Sequence, residues 1–340
     1  NYGKYERKML KEAILSVSPY LAIPLFLVGL VLIVKGGDFF VDAATWIAEV
    51  SGIPKILVGA TVVSFATTLP ELLVSLIAAG NGDTSMAIGN AVGSVTANLG
   101  LIFAILMVAC PGRTDRKDFM LKALLMLSSA LVLVVFGFFG ELSWGGSVLL
   151  IVIYVAFMFF NVKDAKAAML KGDELGEKEE KPVANKKTIT VNIVKFVLGA
   201  AMTAFGAIFL VDNGEIIAAD LMHIPVPIVS AIFIAIGTSL PELVTAITAI
   251  IKKQGALSVG NIIGANIIDL SVILPLCSLI GGKAVPFIAQ NIYLDLPVCL
   301  CISVIILVPT LISQKISRWQ GILSLCVYAA YISVMCTLFI

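Results

Sequence analysis

The sequence predicts an all-α polytopic membrane protein, with ten transmembrane helices in two five-helix repeats of inverted topology. Three observations predict it. First, 59% of the 340 residues are hydrophobic and 13% charged, with a mean hydropathy of +1.05; a soluble domain carries about 25% charge. Second, the apolar residues fall in ten runs, at 20–42, 55–79, 85–110, 119–139, 144–162, 189–212, 226–251, 256–280, 290–311 and 319–339. Each is about as long as a bilayer crossing requires, roughly 20 residues. Third, the two halves of the chain repeat at an offset of 171 residues.

A basic segment, 1–18, precedes the first repeat, 19–162. The one long polar stretch, "NVKDAKAAMLKGDELGEKEEKPVANKKT", has mixed charges with Gly and Pro and reads as a linker over 163–188 with at most a short helix. The second repeat occupies 189–340. The offset maps Ile53-Pro54 onto Ile224-Pro225, Pro70-Glu71 onto Pro241-Glu242, Gly89-Asn90 onto Gly260-Asn261, Gly93 onto Gly264 and Asn98-Leu99 onto Asp269-Leu270. The duplicated motif thus runs over 53–102 and 224–273 without a gap. Five spans per half is an odd number, so the second half enters the membrane from the opposite side. Lys and Arg number sixteen in the loops on the linker side and five on the other. That excess puts the linker in the cytoplasm of a cell-membrane protein and both termini outside.

Composition excludes several functions. A net charge of +1 argues against nucleic-acid binding. The six cysteines sit in apolar segments without CxxC spacing, and the single histidine, His223, falls in a short loop and reads as interfacial. No zinc or redox centre follows. Lys35, Asp38 and Asp42 at the end of the first span do not coincide with Asp212 and Glu215 of the sixth under the offset of 171, and read as helix-end or cavity-mouth charges, with cation steering as the sharper alternative. Asp295, early in the ninth span, reads as lying near the interface.

The chemistry gathers at the repeated Pro-Glu. Pro70 has no N–H for the Ala66 carbonyl, and Pro241 none for that of Gly237. Freed carbonyls are tolerated in a membrane only when buried in protein or lining a polar cavity. Thr67 and Thr68 lie on the Glu71 side of the first break, as Thr238 and Ser239 do beside Glu242. Asn98 follows Glu71 by 27 residues, and Asp269 follows Glu242 by the same spacing. Ser94 stands one turn before Asn98, where the second half has Ala265. Gly89 with Gly93, and Gly260 with Gly264, have the spacing that lets helices approach closely. The sum is three carboxylates, an amide, hydroxyls and carbonyls, an all-oxygen set that suits hard cations such as Ca²⁺.

"GATVVSFATTLPELLVS" with "GNAVGSVTANLGLI", and "AIGTSLPELVTA" with "GNIIGANIIDLSVI", resemble the two α-repeats of the calcium/cation antiporter superfamily, above all its microbial sodium/calcium exchangers. The resemblance covers nearly the whole chain except the linker and the first 18 residues, and includes the closing "SRWQGILSLCVY". It implies ten helices, the first and sixth sliding against the rest, and a diamond of four cation sites at mid-membrane. Glu71 and Glu242 would be shared ligands for Ca²⁺ and Na⁺, with the carbonyls of Thr67 and Thr238 assisting Ca²⁺. The flanking Na⁺ sites would use the Ser64 carbonyl, Thr68 and Ser94 in one half, and the Ala235 carbonyl and Ser239 in the other. Asn98 and Asp269 would complete the central group. Three positions depart from the family: Thr68 for serine, Val95 for asparagine, and Ala265 for serine, which removes one side-chain oxygen.

The expected activity is exchange of Na⁺ for Ca²⁺ by alternating access, without a cofactor and as a monomer in the bilayer; H⁺-coupled or K⁺-dependent Ca²⁺ exchange is the alternative. A cation channel is the rival of another class, but channels gather equivalent groups from several subunits. An enzyme is not expected. "GNGD" at 80–83 matches the G-x-G-D of intramembrane aspartyl proteases, without a second aspartate at matching depth, and neither HExxH nor G-x-S-x-G occurs.

Overall fold

Proline interrupts one apolar run in each half, and the two interruptions organise the fold. A computed structural model describes residues 18–50, 64–113, 116–174, 185–251 and 255–338. Ile53-Pro54, residues 1–17 and residues 175–184 of the expected linker lie outside them. Helix α1 spans Ala22–Val50. Helices α2 (Ser64–Thr67) and α3 (Leu69–Asn81) are two parts of one run, with Pro70 in the first turn of α3, where its missing N–H costs least. Gly82, at φ +92°, ends α3, and Asp83 caps α4 (Thr84–Ala109) by accepting from the Met86 N–H at 2.9 Å. "GNGD" is therefore a helix–helix turn, with its aspartate used as an N-cap. Helices α5 (Arg116–Phe138) and α6 (Trp144–Glu174) complete the half.

The second half repeats the order. Helix α7 spans Lys186–Met222, α8 Val226–Thr238 and α9 Leu240–Ile251, the last two interrupted at Ser239 ahead of Pro241. Helix α10 runs through Gly255–Ile268, a π turn at Asp269–Ile273, and Leu274–Gly281. Helices α11 (Asn291–Ser313) and α12 (Arg318–Leu338) follow. Among the described residues eight helices are long and apolar enough to cross a membrane, and α3 and α8 are shorter apolar helices. The polar stretch is more helical than its composition suggests. α6 continues to Glu174 and α7 begins at Lys186, where Asn185 and Thr188 form a capping box.

Helices α4 and α10 form the centre, each 83% buried over its apolar span, against 28–39% for the other six. Glycine brings them there. A Cβ on Gly93 would lie 2.7 Å from the Ala231 carbonyl and 3.0 Å from Ala235 Cβ; one on Gly264 would lie 2.8 Å from Ser64 Oγ. Gly264 is the repeat of Gly93, and Ala235 the repeat of Ser64, so each half makes the same contact on the other. Helices α1 and α7 cross in the same reciprocal way. The Gly29 carbonyl would be 2.7 Å from a Cβ on Gly206, and the Gly36 carbonyl 2.7 Å from one on Gly199.

Those four glycines correct one reading of the sequence. Gly29 and Gly199, and Gly36 and Gly206, are repeats at an offset of 170, not 171, and the shorter offset aligns "FFVD" (39–42) with "FLVD" (209–212), making Asp42 the repeat of Asp212. The register shifts because α7 contains a π turn, Ile217–Met222, which holds an extra residue before Ile224-Pro225. His223 closes that turn in the left-handed conformation and is exposed.

Two short strand pairs clip the ends. β1 (Gly112–Arg113), after α4, pairs antiparallel with β4 (Lys315–Ile316), before α12. β2 (Glu141–Leu142), before α6, pairs with β3 (Val285–Pro286), after α10.

Candidate functional site

The two helix breaks meet at the central pair. α3 packs on the π turn of α10, Asp269–Ile273, and α9 on that of α4, Asn98–Phe103. Each proposed oxygen donor of the second pair, Asn98 and Asp269, thus starts a π turn, where α-helical hydrogen bonding is interrupted. Glu71 and Asn98 are each 1% exposed, Glu242 and Asp269 fully buried. Ser64, Thr67, Thr68, Ser94, Thr238 and Ser239 are buried with them.

The side chains sort into two groups, each drawing on both halves. In the first, Ser239 Oγ donates to Glu71 Oε1 at 3.1 Å. Ser94 Oγ lies 3.5 Å from the Ala235 carbonyl and 3.4 Å from Thr238 Oγ1. In the second, Thr67 lies beside the Glu242 carboxylate, and the Ser64 carbonyl accepts from Thr67 Oγ1 at 3.2 Å, Thr68 Oγ1 at 2.6 Å and the Thr68 N–H at 3.1 Å. This corrects the grouping that the resemblance implied. Ser94 belongs with the Ala235 carbonyl, not with Ser64 and Thr68, because the Gly93 crossing seats α4 against α8. By the reciprocal crossing at Gly264, Ala265 is the residue turned towards the Ser64 break, so the hydroxyl missing at Ala265 is missing from the Glu242 group.

Glu71 lies close enough to Glu242 and Asp269 to be repelled by both, and Asp269 is repelled by Glu242. Among the described residues no three carboxylate, imidazole or thiol groups close on one point. A cation here must therefore be shared among carboxylates and neutral oxygens. Four oxygens are ready for that: Glu71 Oε2, Asn98 Oδ1 and both carboxylate oxygens of Asp269 are buried and accept no hydrogen bond. Oxygens left so in a protein interior call for an explanation, and a hard cation supplies one.

Three asparagines missing from the sequence-based set hold these groups in place. Asn90 donates to the Glu71 carbonyl at 3.1 Å and Ser75 Oγ at 2.9 Å, and accepts from Thr238 Oγ1 at 3.3 Å, bridging both breaks. Its repeat, Asn261, accepts from Ser64 Oγ at 3.0 Å. Asn266 accepts from Asn98 Nδ2 at 3.0 Å, which turns the Asn98 oxygen towards the group. The G-N-x-x-G repeat was the signal for the first two, and the asparagine that Val95 replaces was the signal for the third. Asp295, expected near the interface, is enclosed by protein. It is 1% exposed and accepts from Asn291 at 2.8 Å, Tyr331 at 3.0 Å and Gln290 at 3.2 Å, three donors that satisfy it inside the protein.

A sequence model of the sodium/calcium exchanger protein family matches residues 21–163 and 191–337. The chain belongs to that family. It is 30% identical over 344 residues to the sodium/calcium exchanger MaX1 of Methanosarcina acetivorans, covering 92% of this chain and 97% of MaX1. It is 31% identical over 310 residues to an uncharacterised membrane protein of Methanocaldococcus jannaschii, covering 91% and 96%. A structure of the sodium-calcium exchanger NCX_Mj, soaked with 10 mM Na⁺ and 10 mM Sr²⁺, superposes with a TM-score of 0.65 at 28% identity, covering 94% of this chain and 99% of that one. With its apolar helices, this exchanger-family chain is an integral membrane protein whose relatives are transporters rather than enzymes.

Proposed function

We propose that the chain exchanges Na⁺ for Ca²⁺ by alternating access at an all-oxygen site at mid-membrane, as a monomer with ten spans in two inverted halves. The observation that carries this reading is the crossed pairing of the two breaks: Ser239 of the second half donates to Glu71 of the first and Thr238 to Asn90, while Ser64 of the first donates to Asn261 of the second. A site assembled from two halves changes its access when the halves or their flanking helices move. One chain supplies every donor, so no partner subunit is required. Inversion draws support from the clips. β1 and β2 lie at opposite ends of α5, and β1 pairs with β4, the repeat of β2, so the equivalent strands β2 and β4 lie at opposite ends of the molecule. The Lys and Arg excess supports a cytoplasmic 163–188 and external termini.

Glu71 with Ser94, the Ala235 carbonyl, Thr238 and Ser239 would form one Na⁺ site; Glu242 with the Ser64 carbonyl, Thr67 and Thr68 would form another. Ca²⁺ would take the space between, held by both glutamates with Asn98 and Asp269. The ions compete because they use the same carboxylates. Moving bare carboxylates between the two membrane faces is costly, about 2.5–3.5 kcal/mol for one charge at the bilayer centre on insertion scales. Only the loaded protein changes face, and coupled exchange results. Ala265 favours a second reading, in which a proton takes the place of the sodium that the Glu242 group holds less well.

Purified protein in proteoliposomes tests both. Radioactive Ca²⁺ uptake should follow an outward-directed Na⁺ gradient imposed from the lumen. Uptake driven only by a proton gradient would install the second reading, and uptake at channel rates with no counter-ion would overturn antiport.

A further inference from the structure

The β1–β4 clip places like charges opposite one another. Arg113 faces Lys315 in the register of the two strands. Like charges directly opposite destabilise an antiparallel pair, so an anion bound between them would stabilise the clip. Arg318 adds a third cation to the same shallow cleft, which Trp319, Pro111 and Ser317 also line. Arg318 Nε donates to the Val108 carbonyl at 3.2 Å, tying the guanidinium to the end of α4. Among the described residues no carboxylate forms an ion pair with any of the three cations. The stretches 113–122 and 313–318 carry six cations in all against Asp115 and Asp118.

Depth fixes what the anion is attached to. Ile312 is 79% exposed at the end of α11 and Ile322 53% exposed in the first turns of α12, apolar surface that only lipid covers in an integral membrane protein. The Lys315–Trp319 side of the cleft lies between them in sequence, at the level where apolar helix surface gives way to polar loop. Trp319, half exposed beside it, is the residue type that belongs at headgroup level. We propose that the β1–β4 clip binds the phosphate of an anionic membrane lipid, so that the lipid bridges a loop of the first half to a loop of the second. Nothing in ion exchange requires this contact, and the inference stands independently of the transport reading.

The full-length protein in nanodiscs tests it, by thermal unfolding and by native mass spectrometry of retained lipid. Phosphatidylglycerol should raise the unfolding midpoint over phosphatidylcholine and remain bound. Arg113→Gln with Lys315→Gln should remove that preference, by roughly fivefold for each cation lost. The charge-conserving pair Arg113→Lys with Lys315→Arg should retain most of it, which separates loss of binding from loss of folding. Lys186→Gln with Lys187→Gln removes the same charge from exposed positions at the start of α7 and should leave the preference intact. An equal loss in that control would overturn a local site in favour of a diffuse basic surface. If inorganic phosphate at millimolar concentration reproduces the stabilisation in phosphatidylcholine nanodiscs, the lipid assignment falls and the cleft is a site for soluble anions.

Discussion

The Glu71 group and the Glu242 group descend from one duplicated motif, yet they are not built alike. Around Glu71, Ser239 donates to the carboxylate, Ser94 reaches the Ala235 carbonyl, and Asn90 is held on both sides by the Glu71 carbonyl and Ser75. Around Glu242 the counterpart of Ser94 is Ala265 and that of Ser75 is Ala246. Asn261 accordingly has a buried amide nitrogen without an acceptor, where the equivalent nitrogen of Asn90 has two. Both threonine hydroxyls beside the Glu242 group reach back to the Ser64 carbonyl. The central pair differs too, an amide at Asn98 against a carboxylate at Asp269. Duplication supplied the geometry twice, and substitution then divided the labour: one group has more hydroxyl oxygen and firmer support.

The comparison can be broken at several strengths. The largest effect is expected at the two glutamates proposed as shared ligands. Glu71→Gln or Glu242→Gln should bring Na⁺-driven Ca²⁺ uptake to background, whereas near-normal uptake in both variants would remove the crossed carboxylates from the site. Next comes the reciprocal packing. Gly93→Ala and Gly264→Ala should each destabilise the protein by about 1–3 kcal/mol, because each Cβ meets an atom of the other half at under 3 Å. Unfolding midpoints in detergent would show it, and unequal costs would mean the two crossings are less alike than they look. Asn266→Ala should weaken Ca²⁺ more than Na⁺, since it releases Asn98 rather than a flanking hydroxyl; isothermal titration with each ion separates these. The smallest and most informative change is Ala265→Ser. It should lower the Na⁺ concentration for half-maximal exchange by roughly two- to tenfold, the scale of one neutral polar contact. Ser94→Ala should raise it by a similar factor. Opposite shifts would establish that the groups differ by one hydroxyl, and no shift in either would place Na⁺ elsewhere.

Much of the fold is legible along the chain because its signals are local. Long apolar runs mark the spans, Pro70 and Pro241 mark the breaks, and a gapless offset marks the repeat. The candidate carboxylates are visible for the same reason, as charge in hydrocarbon is conspicuous. Other features are not. The equivalence of Asp42 and Asp212 is hidden by one extra residue in a π turn, and only the glycine crossings of α1 with α7 restore it. The burial of Asp295 depends on Tyr331, which lies 36 residues away. Asn90, Asn261 and Asn266 read as ordinary small polar residues until their partners from the other half are beside them.

By itself, then, the sequence determined the membrane setting, the duplication and the oxygen-rich chemistry, all consequences of residue type and spacing. Tertiary structure alone decided which half serves which glutamate. Spacing along one helix places a hydroxyl near the carboxylate of its own half, but the close approach at Gly93 and Gly264 presses each central helix onto the opposite break. Ser94 thereby serves the break after Ala235, and the deficit at Ala265 falls to the group around Glu242.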